Sequence, residues 1–263
     1  MIAYLAVAMA AAFTAALTLY SGFGLGTLLL PVFALFFPPA VAVAATAVVH
    51  GANNLFKLAV VGRHADRGLL LRFGLPAIVA AFAGAALLGA LAGAGELGRY
   101  EIAGRVAVVT PLKTVLGTLM LVFAAFELLP RLRELRFSGR HLVAGGLLSG
   151  FFGGLSGHQG ALRAAFLTKV GLTTRGFVGT NAAIGFLVDL VRSATYAATF
   201  WLAGAANPLG SGQWPLVVTG CVAAFAGVAL GSRLLSKVTM TSVQKLTGAL
   251  LLLIGAALAA GWF

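Results

Sequence analysis

The chain has 263 residues, a net charge of +12, 60% hydrophobic and 9% charged residues, and a mean hydropathy of +1.03. Soluble domains carry about a quarter charged residues, so a soluble fold is ruled out and little length remains outside apolar stretches. The positive charge sits in short connections between those stretches, which argues against a nucleic-acid surface, and the single Cys221 cannot form an internal disulfide.

The first apolar stretch, 1–37, is interrupted at Ser21-Gly22-Phe23-Gly24-Leu25-Gly26 and ends at the uncharged connection Pro38-Pro39. Stretch 40–61 follows, carrying His50, Asn53, Asn54 and Lys57, and Arg63, Arg67 and Arg72 flank its passage into 69–91. Arg99 and Arg105, offset by Glu96 and Glu101, precede 106–129, which holds Lys113 and Glu127. A basic linker, 131–141, contributes Arg131, Arg133, Arg136 and Arg140. Stretch 142–170 is broken at Gly153-Gly154-Leu155-Ser156-Gly157-His158-Gln159-Gly160, and Lys169 and Arg175 flank the passage to 177–201, with Asn181, Asp189 and Arg192. The uncharged segment 203–212 leads to 214–235, and Arg233, Lys237 and Lys245 flank the passage to 242–263. A spanning helix needs about 20 residues, and most of these stretches reach that length.

Basic connections mark the cytoplasmic side of a membrane protein. The reading is therefore a multi-pass membrane protein with both termini extracytoplasmic. Because 131–141 and 171–176 are both basic, 142–170 must enter and return on the same side, as a hairpin turning at Ser156 to Gly160. The same reasoning makes 1–37 a hairpin turning near Gly22 to Gly26. Three spans follow each hairpin, an odd number, so the halves become inverted copies: 1–130, the linker 131–141, and 142–263. An offset of 134 aligns Gly26 with Gly160, Leu28 with Leu162 and Thr46 with Thr180. The predicted fold is an all-α polytopic membrane protein of two inverted repeats, each a broken helical hairpin followed by three transmembrane helices.

Paired interrupted segments at matching positions point to a transporter's binding site. The glycines of the breaks, Gly22, Gly24, Gly26, Gly157 and Gly160, free backbone N–H groups for an anion. Arg163, three residues beyond the second break, adds fixed charge and forked donors suited to an oxyanion. Its alternative is a structural ion pair with Asp189. His158, Gln159 and Asn181 are candidate substrate contacts beside it. Asp189 and Arg192, three apart on one helix face, are read as a gating or structural pair, with a proton-coupling role open to Asp189. Lys57, His50 and Asn54 join the gating or ion-coupling set, against the plainer readings of a snorkelling lysine and helix-helix hydrogen bonding. Lys113 and Glu127 are read as structural.

Gly154-Leu155-Ser156-Gly157 and the spacing from His50 to Asn54 match short motifs of intramembrane serine proteases, but no later helix supplies a histidine base. The chain has no P-loop, cysteine cluster or metal-spaced ligand set, so no enzyme activity, cofactor or metal is expected. A non-transporting membrane scaffold is the alternative from another class.

At the two breaks the chain resembles the TauE/SafE family of sulfite and organosulfonate exporters. Gly22-Phe23-Gly24-Leu25-Gly26 leading to Pro31 follows the family's glycine-rich element. In the second half Gly157-His158-Gln159-Gly160-Ala161-Leu162-Arg163 replaces a glycine triplet, as in a divergent branch reading G-x-Q-G-A-x-R. The resemblance implies a secondary transporter of the bacterial cytoplasmic (inner) membrane, an exporter of a small anion such as sulfite, an organosulfonate or a related oxyanion, working by alternating access. The expected partners are that anion, the lipid bilayer and a coupling proton or sodium ion, with homo-oligomerisation left open and no nucleic acid.

Overall fold

The computed structural model describes residues 1–21, 24–102, 104–133, 135–202, 212–234 and 240–262, and side chains for all of these except 19–21, 133, 231–234 and 240–243. Helices α1 (Ile2–Ser21) and α2 (Leu25–Ala34) form the arms of the first stretch, and Gly24 between them takes φ +123°, which strains any residue with a Cβ. Helix α3 (Pro39–Val61) begins on Pro39, tolerated in a first turn because that N–H has no helical partner.

A short turn leads to α4 (Arg67–Leu69), whose start Asp66 caps by accepting the Leu69 N–H at 2.8 Å. It continues through a π-helical turn, Leu70–Gly74, into α5 (Leu75–Ala92). Pro76 accounts for the wide turn: it has no N–H to offer the Arg72 carbonyl, and the Leu75 N–H reaches back to Leu70 instead.

The strands β1 (Gly98–Ile102) and β2 (Arg105–Val109) pair antiparallel, and α6 (Pro111–Leu128) and α7 (Pro130–Arg133) follow. Past the linker come α8 (Leu142–Ser156), α9 (Gly160–Leu167), α10 (Thr174–Leu202), α11 (Trp214–Leu234) and α12 (Met240–Ala259). The hairpin corrects the reading of 106–129 as one helical stretch and is a local addition to an otherwise helical membrane fold. Val106, Val108 and Val109 favour extended backbone, Gly104 turns with φ +73°, and Thr110 accepts the Lys113 N–H at 3.2 Å to start α6 afresh.

The most extensive helix packings are α5 on α8, α1 on α11, α6 on α12 and α3 on α10. Each joins one helix from before the linker to one from after it. Close approach on α8 depends on glycine: a Cβ on Gly150 or Gly154 would lie 2.0 Å from the carbonyl oxygen of Ala77 or Ala81 on α5. Small residues at four-residue spacing are how membrane helices bring backbones together.

Leu71, Val79, Phe82, Val218, Val222 and Leu253 are more than half exposed, the outward apolar face that lipid requires. Arg67–Ala92, Pro111–Leu128 and Thr174–Leu202 are long and apolar enough to cross a membrane. The chain is thus a predominantly helical, multi-pass membrane protein.

Candidate functional site

Both breaks lead to one buried polar cluster. A Cβ on Gly26, in the first turn of α2, would lie 3.1 Å from the Gly157 carbonyl oxygen and 3.7 Å from the His50 ring. The first and second breaks therefore touch each other beside α3. Gly22 lies outside the described residues, and Gly24 borders Thr18.

Asp189 is the hub. Its Oδ2 accepts from His50 Nδ1 at 2.6 Å and Asn54 Nδ2 at 3.0 Å. Its Oδ1 accepts from Gln159 Nε2 and Arg192 Nε, each at 3.0 Å, and Arg192 Nη2 lies 2.8 Å away as an ion-pair contact. Since His50 Nδ1 donates to the carboxylate, Asn54 Nδ2, 3.1 Å from that nitrogen, finds its acceptor on Asp189 and not on the ring. Four side chains, from α3, the second break and α10, converge on one carboxylate. Asp189 thus pairs with Arg192, not Arg163.

Arg192 also holds the second break, its Nη1 donating to the Gly153 carbonyl at 3.2 Å, while Ser149 Oγ donates to the Gln159 carbonyl at 3.0 Å and Tyr196 Oη donates to the Gly154 carbonyl. The Gly154 carbonyl, near the end of α8 where the helix stops at Gly157 with φ +83°, is satisfied in this way, and the Gly153 carbonyl accepts both Arg192 and the Gly157 N–H.

Arg163 stands differently. Its Nε donates to Asn181 Oδ1 and its Nη1 to Gln159 Oε1 at 3.0 Å, so both described partners are neutral amides. Among the described residues no carboxylate lies within ion-pair distance of it. Gln159 bridges the two halves of the network, donating to Asp189 and accepting from Arg163. Gly185 makes room: a Cβ there would meet Asn54 Nδ2 at 2.6 Å and Arg163 Nη1 at 3.3 Å.

Lys57 is buried rather than snorkelling, and donates from Nζ to Thr18 Oγ1 on α1. His158 stacks on Phe123 of α6, ring centroids 4.7 Å apart, with Nδ1 3.0 Å from Ser156 Oγ. Ser156 Oγ donates to the Phe152 carbonyl at 3.1 Å, which leaves it to accept from His158 Nδ1. None of His50, Asn54, Lys57, His158, Gln159, Arg163, Asn181, Asp189 and Arg192 is more than 7% exposed. Lys113 is structural, its Nζ donating to the Val108 and Gly261 carbonyls at 2.7 and 3.3 Å.

The structure gathers every candidate side chain named from the sequence around the meeting point of the breaks. Thr18, Ser149, Gly185 and Tyr196 were missed. Tyr196, four residues after Arg192 on the same helix face, was available from spacing, whereas nothing local marks Thr18 among other small polar helix residues.

Searches among curated proteins and among solved structures return no match. The family described as sulfite exporter TauE/SafE matches residues 4–258. With nearly its whole length covered, this chain belongs to the TauE/SafE family of membrane transporters.

Proposed function

We propose that the protein carries a small oxyanion, such as sulfite, an organosulfonate or a related anion, across the bacterial inner membrane as an exporter. It does so by alternating access around the paired breaks. The carrying observation is the charge balance of the cluster: among its described residues two guanidiniums, Arg163 and Arg192, accompany one carboxylate, Asp189, which Arg192 already occupies. A guanidinium stays protonated, and holding one in the membrane without a counter-ion costs several kcal/mol. An oxyanion beside Arg163 offsets that cost.

The packing supports two repeats related by a two-fold exchange. Swapping the helices of the halves turns α1 on α11 into α8 on α5, and maps α3 on α10 and α6 on α12 onto themselves. With basic connections inside and both termini outside, the repeats are inverted and the breaks enter from opposite faces.

His50, between Gly26 and Asp189, is the candidate proton carrier, and a sodium ion is the competing coupling ion. Proton-driven flux is expected to disappear in His50→Gln while sodium-driven flux is unchanged, a comparison made in proteoliposomes under each gradient. For the site itself, Arg163→Gln lowers anion affinity roughly 10- to 100-fold, about 1.5–3 kcal/mol for a lost charged hydrogen bond. Binding to the purified variant is the measurement, and unchanged affinity removes Arg163 from the site.

A further inference from the structure

Asn53 is 0% exposed, yet neither its Oδ1 nor its Nδ2 has a hydrogen-bond partner. An unpaired buried amide costs about 1–3 kcal/mol and stands out in a core where Asn54, Gln159 and Asn181 are all bonded. Asn53 lies three residues after His50 and four before Lys57, so the three share one face of α3. That face runs along the first break: the His50 ring meets Gly26, and Lys57 bonds Thr18, which borders Gly24. The second orphan is His158 Nε2, in the residue after Gly157, whose carbonyl meets Gly26. With His158 Nδ1 donating to Ser156, Nε2 is the acceptor nitrogen of the neutral imidazole.

We infer that Asn53 and His158 read hydrogen-bond donors on the substrate, so the transported anion bears an O–H or N–H group beside its charged oxygens. This rests on the anion reading above and narrows it. Arg163 and Asn53 Nδ2 offer donors to the anionic oxygens, while Asn53 Oδ1 and His158 Nε2 offer two acceptors that a bare oxyanion cannot satisfy. A site built to pair a substrate hydroxyl rejects the analogue lacking it, because its own acceptors are left buried and unpaired.

The test uses two isosteric probe pairs on the purified full-length protein: hydroxymethanesulfonate against ethanesulfonate, and glycolate against propionate. Affinities are measured by calorimetry for wild type, Asn53→Leu and His158→Phe. In wild type the hydroxylated member of at least one pair is expected to bind about 10-fold tighter or more, and Asn53→Leu to erase most of that preference. Asn53→Leu is also expected to keep or raise the melting temperature of the ligand-free protein, since it removes an unpaired amide; a merely structural asparagine would lower it. Equal binding within both pairs, or full discrimination retained by both variants, overturns this inference while leaving the anion site standing. Failure of all four probes to bind wild type overturns the anion reading together with it.

Discussion

Asp189 and Arg163 illustrate two fates for a buried charge. Asp189 accepts from His50, Asn54, Gln159 and Arg192, so Asp189→Ala strands the Arg192 guanidinium without a counter-charge. A loss of about 3–5 kcal/mol is expected on breaking a buried pair from one side, read from denaturant unfolding in detergent. Arg163→Gln loses hydrogen bonds to two amides but also removes a guanidinium held without a counter-ion, so it should not lower stability by more than about 1 kcal/mol by the same measurement. Stability thus separates the structural cation from the one proposed to meet substrate. In the sequence both arginines have nearly equal claim on Asp189. Only the three-residue spacing favours Arg192, and the intervention of Gln159, thirty residues from Asp189, has no local signal.

At the scale of elements, the glycines divide by what surrounds them. Gly150→Leu would drive a side chain into the Ala77 carbonyl and separate α8 from α5. Destabilisation of at least about 1–3 kcal/mol is expected, as for other overpacked interiors. Gly98→Ala, at the start of β1 with nothing within 4 Å of a new Cβ, should stay within about 0.5 kcal/mol. Thermal unfolding of the two variants makes the comparison. The breaks at Gly24 and Gly157 were legible because clustered glycines weaken a helix in the middle of an apolar run and permit the positive φ that turns the chain. The strands were not: Val106 to Val109 are as apolar as the helix beyond them, and hydropathy does not distinguish a short β-branched strand from the end of a span. Likewise, α3 hides its polar face until its neighbours are placed, since a helix bearing His50, Asn53, Asn54 and Lys57 has many ways to turn.

For the whole molecule, charge bias alone sets the expected topology, with basic connections inside and both termini outside. That orientation is open to test: in a Cys221→Ala background, Arg140→Cys and Arg175→Cys should react with an impermeant thiol reagent from the cytoplasmic side alone, and Gly98→Cys from the opposite side alone. Intact cells and inverted vesicles supply the two sides. Reversed labelling would turn the carrier around and leave its site intact. What charge bias could not reveal is how the halves share their packing. Sequence divides the chain at the linker, but the four largest helix interfaces all cross that division.

The hairpin sharpens this point. Val108 N–H donates to the Gly261 carbonyl at 3.1 Å, Tyr100 Oη to the Ala260 carbonyl at 2.5 Å, and Lys113 to Gly261 at 3.3 Å, all on the turn that ends α12. The strands therefore buckle α6 to α12, fastening the last long helix before the linker to the last helix of the chain. In the proposed alternating-access cycle no seam of motion can run between helices so tied, and the moving body would draw helices from both sides of the linker.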